Sequence, residues 1–384
     1  MRFEFATATR ILFGPGAARE VAPAAKEMGG RALLVIGCPT ERTALLVEAV
    51  KMQGLGCISL AIQAEPSDAL IRQGVELARR EKCDLVIALG GGSSIDAGKA
   101  IAALLTNGGE LCDYLEVIGK GQPLRHPSLP FIAVPTTAGT GSEVTRNAVL
   151  ASAEHRVKVS LRSPFMLPRL AVVDPELTLD LPPAVTASTG LDALTQLIEP
   201  YVSIRANPLT DGFCLEGMRR VSRSLRPAYH SGSDITARED MSLASLLGGL
   251  ALANAGLGVV HGFAAPLGGM FDAPHGAICA ALLPHGMAVN IRASRARAPE
   301  GETLRRYETV ARLLTGEPDA TAEEGIEWVR RLCQELQIPP LSSYGIQERD
   351  VPTLVEKASR ASSTKGNPIT LTMDELRQLL TSAL

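Results

Sequence analysis

At 384 residues the chain is longer than one hydrophobic core comfortably organises, so two domains are expected. Hydrophobic residues make up 46% and charged residues 21%, which excludes a disordered, collagen-like or coiled-coil chain. The formal net charge is −3 with Lys and Arg dispersed, so neither nucleic acid nor an anionic membrane is an expected partner.

In chain order, the first half alternates β-rich and helical runs, the pattern of parallel strands joined by helices. Strands are expected over Ala32–Ile36, Cys57–Ile62, Asp84–Leu89, Phe131–Val134 and Leu170–Val173. Helices are expected over Thr43–Gln53, Asp68–Glu81 and Ile95–Leu105. The pair Pro182-Pro183 suits the start of a helix, and beyond it strands disappear. Helices are expected over Ala184–Tyr201, Pro208–Leu225, Ala237–Val260, Ala277–Ala293, Glu302–Leu314, Thr321–Leu336 and Met373–Ser382. The expected architecture is therefore an α/β dinucleotide-type domain with a parallel sheet over 1–180, followed by an all-α domain over 181–384.

Met241–Val260 carries no charge and is long enough to span a bilayer, but Gly248, Gly249, Asn254, Gly256 and Gly258 suit a helix buried against other helices. Seven cysteines, odd in number and without a C-x-x-C pair, read as reduced packing thiols of a cytoplasmic protein. Glu4 and Arg10 fall where a secretion signal needs an apolar core.

Gly90-Gly91-Gly92-Ser93-Ser94-Ile95-Asp96 follows a strand and opens a helix. Glycines there let backbone approach a ligand, and the helix N-terminus offers unpaired N–H groups, a cradle for a diphosphate. It matches neither G-x-G-x-x-G nor the P-loop, and a glycine turn serving only helix–strand packing is the alternative. A second loop, Pro135 to Glu143, again follows a strand and supplies Thr136, Thr137, Thr140 and Ser142 with Gly139 and Gly141. Two such loops at the same ends of neighbouring parallel strands point to a nucleotide site.

In the second half, Asp192, Gln196 and Glu199 fall at i, i+4 and i+7 on one helix face, either a solvated stripe or one wall of a polar pocket. His261 and His275 are two of six histidines, separated by glycines and prolines that break a helix. Helix ends meeting at one pocket could deliver both imidazoles to a divalent ion beside a carboxylate.

The segments GGGSSID, PTTAGTGSEVT, STGLDALTQLIE and VVHGFAAPLGGMFDAPHG resemble, in order and spacing over nearly the whole chain, the iron-containing (group III) alcohol dehydrogenases. The resemblance implies an NAD(P)-dependent dehydrogenase of alcohols and aldehydes, commonly a homodimer, in which a divalent ion assists hydride transfer as a Lewis acid. It places the cofactor on Gly91, Gly92, Ser93, Asp96, Thr136, Thr137 and Ser142, with Lys158 and Leu177 lining it. It implies a metal on Asp192, His261 and His275, iron first and zinc second. At the fourth position stands Gln196 where the family has histidine, so Gln196 is expected as a weaker oxygen ligand or as a hydrogen-bonding group. One turn after His261, Ala265 replaces a histidine that relays a proton in many members.

Acidic residues common after the first sheet strand in NAD-preferring relatives are replaced here by Gly37, Cys38, Pro39 and Thr40, with Glu41 and Arg42 next, so NADP is an expected alternative to NAD. The competing readings are a metal-independent reductase resembling maleylacetate reductases, and a lyase resembling dehydroquinate synthase.

Overall fold

A computed structural model describes residues 2–37, 40–152, 155 and 157–384. Cys38, Pro39 and the side chain of Arg42, invoked above for cofactor choice, lie outside the described residues. The chain divides into two compact units, Phe5–Asp180 and Leu181–Leu384, the residues up to Glu4 grouping with the second.

The first unit is built on a six-stranded, all-parallel sheet. In chain order it comprises β1 (Ile11–Phe13), α1 (Val21–Met28), β2 (Arg31–Ile36), α2 (Glu41–Met52), β3 (Gly56–Ala61), α3 (Asp68–Arg80), β4 (Leu85–Gly90), α4 (Gly92–Thr106) and α5 (Leu111–Tyr114). Then follow β5 (Phe131–Pro135), an antiparallel hairpin of β6 (Asn147–Ser152) and β7 (Val157–Arg162), and β8 (Leu170–Val173). The sheet order is β1-β8-β5-β4-β2-β3.

Strand residues are apolar on both faces because helices cover both faces. Leu33, Val35, Val86, Ala88, Phe131 and Ala133 pack with α3 and α4. The alternate residues Ala32, Leu34, Leu85, Ile87, Ile132 and Val134 pack with α1 and α2. The five expected strands form within a residue of their expected limits. Three residues are too few to show a period, which is why β1 was not expected, and the β6–β7 hairpin escaped for lack of a turn signature. Connections reverse direction at β2: the chain runs outward to β3 on one side, then returns to β4 on the other. Such a switch point opens a crevice at the carboxyl ends of β2 and β4.

The second unit is helical: α6 (Pro183–Val202), α7 (Pro208–His230), α8 (Ile235–Ala255), α9 (Val259–Met270), α10 (His275–Arg297), α11 (Glu302–Thr315), α12 (Ala322–Glu335), α13 (Val351–Arg360) and α14 (Met373–Thr381). α6 is buried on every side from Gly190 onward. Gly190 and Gly217 make this possible, since a Cβ at either would sit about 2.3–2.4 Å from Leu225 or Leu197 of the neighbouring helix.

Three expectations are corrected. α7 continues past Leu225 through Pro227 to His230, and α10 continues past Ala293 to Arg297. The single helix expected over Ala237–Val260 is two helices bent by 100°. The break follows from Gly256, whose φ of +73° is left-handed, and from Gly258, where a Cβ would meet Glu199 Oε1 at 2.8 Å. Among the described residues no single helix is long and apolar enough to cross a membrane, although the bent pair passes by length and composition. α13 was not expected, although Val351, Leu354, Val355 and Ala358 recur at i, i+3, i+4 and i+7 and form its buried face.

Candidate functional site

Because the six strands are parallel, the residues that follow them gather at one edge of the sheet. Gly37 follows β2, Gly91 to Ser93 follow β4, Thr136 and Thr137 follow β5, and Leu177 lies in a short turn after β8. α4 begins at Gly92 with no side chain capping its N-terminus, and Gly91, Gly92 and Ser93 are half-exposed. Its first N–H groups are therefore available to an anionic ligand. The two glycine loops touch: a Cβ on Gly92 would meet Thr140 at 2.9 Å, and one on Gly91 would lie 3.5 Å from Thr137. Gly37 is required by close approach, since its Cβ would fall 1.9 Å from Ser94 Oγ. Lys158 pairs with Glu65 at 2.8 Å, beyond the end of β3.

Asp96 and Ser142, expected at the cofactor, are turned into the interior. Asp96 accepts hydrogen bonds from the Ser142 hydroxyl and from the Val149 N–H at 2.9 Å, and lies 3.2 Å from Lys99 Nζ. Lys99 donates to Ser142 Oγ and Thr145 Oγ1, both at 2.9 Å, and to the Asn147 carbonyl. This buried knot joins α4 to the second loop and fixes the loop's position. Lys99, missed in the sequence, was marked only by being a lone cation in an apolar helix.

Glu143, beside Ser142, is 2% exposed, and burial pushes its carboxyl up to about 7 against an ordinary 4.5. Below about pH 4.5 folded and unfolded chains both hold this proton. Between about pH 4.5 and 7 only the folded form holds it, so stability present in acid falls progressively over that range and is gone once the folded form releases the proton above 7. Glu143→Gln is expected to be more stable than the parent at pH 8 by roughly 3 kcal/mol and equal to it at pH 4.5, in urea unfolding at the two pH values.

The helical unit holds a second centre. Asp192, Gln196 and Glu199 of α6 are 1%, 2% and 5% exposed, so the polar face is buried inside the unit and is not a solvated stripe. His261 lies in the first turn of α9 and His275 is the first residue of α10, so two helix starts deliver the imidazoles. Glu199 accepts from the Val260 N–H and from His261 Nδ1, both at 2.7 Å, and Asn367 Oδ1 accepts from the Val259 N–H at 3.1 Å. These side chains satisfy N–H groups that a helix start leaves open, and they fix the angle at which His261 enters the pocket.

With Nδ1 donating to Glu199, His261 turns Nε2 toward Asp192 Oδ1, 3.4 Å away. His275 Nε2 lies 3.7 Å from the same oxygen. Cys279 Sγ lies 3.7 Å from both Nε2 atoms, and the four ligand atoms all fall within 4.8 Å of one another. Expected as a packing thiol, Cys279 was detectable in the sequence, since i, i+4 spacing sets it on the same helix face as His275. Asp192 Oδ1 and Gln196 Oε1 are buried and lack a hydrogen-bond partner. Acceptors converging with no donor between them fit a cation, and Asp192, His261 and His275 are suited to hold one.

The local charge agrees. Burial opposes the ionised form of Asp192, yet the charges of His275 and His261 beside it hold its carboxyl below the usual range. Burial likewise opposes protonation of His261 and His275, but Cys279 and Asp192 outweigh it and raise both above the ordinary histidine value. Negative charge accumulates here and is balanced by protons or by a cation.

Two family models cover the chain: "Iron-containing alcohol dehydrogenase" over residues 8–175 and "Fe-containing alcohol dehydrogenase family, C-terminal" over 186–384. The chain is 38% identical to alcohol dehydrogenase 4 of Schizosaccharomyces pombe, over 97% of this chain and 87% of that protein. It is 35% identical to the NAD-dependent methanol dehydrogenase of Bacillus methanolicus, over 97% of each. A solved structure of 1,3-propanediol oxidoreductase superposes over the full length of both chains with a TM-score of 0.92 at 35% identity. The chain belongs to the iron-containing alcohol dehydrogenase family and is an oxidoreductase acting on CH–OH groups.

Proposed function

We propose that the chain is a cytoplasmic, homodimeric NAD(P)-dependent alcohol dehydrogenase and aldehyde reductase whose divalent ion is held by Asp192, His261 and His275. The observation that carries this reading is the unpartnered Asp192 Oδ1, buried and 3.4 Å from His261 Nε2. When bound, the ion supplies Lewis-acid stabilisation of negative charge on the substrate oxygen, and the nicotinamide takes or gives the hydride.

The chain's own residues do the positioning. Glu199 fixes the tautomer and direction of His261, and Asp192 stays ionised against burial. Gln196 Oε1 serves the site as an oxygen ligand or as a hydrogen-bond acceptor for the substrate hydroxyl. The N–H groups of Gly92 and Ser93 receive the cofactor's diphosphate, and Lys158 with Leu177 lines its rim. NADP is accepted alongside NAD, because Gly37 places no carboxylate against a 2′-phosphate. Methanol dehydrogenase and 1,3-propanediol dehydrogenase activities in relatives support a small primary alcohol as substrate.

The test is a panel of short alcohols and aldehydes with NADH and NADPH, run on chelated protein and after adding Fe2+, Zn2+ or Mn2+. Activity that disappears on chelation and returns with metal is expected. Full activity in metal-free protein sinks the metal-assisted mechanism, and absence of net NAD(P)H turnover sinks the dehydrogenase reading.

A further inference from the structure

We propose that Cys279 is the fourth protein ligand of the metal centre, taking the place that Gln196 holds in the sequence pattern. The centre is then one carboxylate oxygen, two imidazole nitrogens and one thiolate. This rests on the reading above that Asp192, His261 and His275 hold a divalent ion.

Three observations converge on Cys279. Its Sγ lies 3.7 Å from His261 Nε2 and 3.7 Å from His275 Nε2, while Asp192 Oδ1 lies 3.4 Å and 3.7 Å from the same two nitrogens. Metal–nitrogen bonds of about 2.1 Å and metal–sulfur bonds of about 2.3 Å at tetrahedral angles require ligand separations of about 3.4–3.6 Å. Right-angle edges of an octahedral set at those bond lengths would be about 3.0 Å for nitrogen and oxygen. Four of the six separations thus already match a tetrahedral set around a zinc-sized ion, and the other two stay within 4.8 Å.

The second observation is placement. Cys279 follows His275 by one turn of α10, so a rigid helix carries both donors, and the thiol is fully buried. The third is charge. Asp192 and a Cys279 thiolate together neutralise a divalent ion inside a buried site, which the neutral Gln196 amide cannot do. On binding, the thiol proton leaves to solvent and the sulfur lone pair forms the new bond. Gln196 Oε1, buried and unpartnered, is left as the hydrogen-bond acceptor of the site. A soft thiolate in a tetrahedral set favours Zn2+ and Co2+ over Mn2+ and Mg2+, which prefer oxygen donors.

The experiment uses full-length protein freed of metal by chelation and titrated with Co2+ without oxygen. A thiolate ligand gives a sulfur-to-cobalt charge-transfer band in the near ultraviolet, independent of turnover. The parent protein is expected to develop this band to saturation at one Co2+ per chain, and Gln196→Ala to keep it. Cys279→Ser and Cys279→Ala, shown folded by circular dichroism, are expected to lose the band and to bind Co2+ at least about tenfold more weakly, since even outer partners of a ligand contribute that much. Stoichiometric Co2+ binding without the band in the parent, or a band that survives both Cys279 variants, overturns the proposal and leaves the three-ligand reading standing. Protein that takes up no Co2+ overturns both.

Discussion

His261→Ala is expected to lower kcat/KM by about three orders of magnitude, the several kcal/mol of charge stabilisation that a catalytic ion supplies. Retained metal, measured by elemental analysis after desalting, should fall with it. The reasoning starts at Glu199, whose two oxygens accept from the Val260 N–H and from His261 Nδ1. The first bond anchors the Glu199 carboxylate and the second turns His261 so that Nε2 faces Asp192. Alanine removes the donor and leaves Glu199 and Asp192 buried without a partner on that side. Glu199→Gln is the graded companion, because it keeps the shape but weakens the orienting acceptor. It is expected to lose about 10- to 100-fold in metal affinity with a smaller loss of kcat at saturating metal. If His261→Ala keeps both its metal and its rate, His261 is a structural histidine.

The second large effect belongs to the buried pair in the α/β unit. Lys99→Met is expected to cost about 3–5 kcal/mol, because it removes one partner of a buried ion pair and leaves Asp96 in the interior without its cation. Burial also disfavours the charged form of Lys99, so its pKa lies below the ordinary lysine value even with Asp96 beside it. For a unit of this size the loss corresponds to a melting point roughly 10 °C lower. The double variant Asp96→Asn/Lys99→Met should recover part of it, since both charges then leave together. Thermal and urea unfolding of the two single variants and the double measure this, and single losses under 1 kcal/mol would contradict it.

Much of this was readable in the chain itself. DLVIAL followed by GGGSSID forces a strand, a tight turn and a helix start, and β4 and α4 form there. Asp192 was legible because three polar residues recur on one face of an otherwise apolar helix. Long-range partners were not legible. Nothing local tells Asp96 that it will meet Val149, or Asn367 that it will cap α9. Cys279 was overlooked because a buried cysteine reads as a small hydrophobe, although its i, i+4 spacing from His275 was a local signal. The merged α8–α9 helix failed for a related reason. Gly256 and Gly258 are tolerated inside helices by composition, and only the approach of Glu199 and Asn367 shows why the chain turns there.

The four donor atoms of the proposed metal centre come from α6, α9 and α10, so they gather only once those helices are packed. An ion held there acts as a cross-link between distant stretches of chain and recognises only the folded state. Metal supplied at a hundred times its dissociation constant should then raise the stability of this unit by about 2.7 kcal/mol. A melting curve can thus report occupancy without substrate or cofactor.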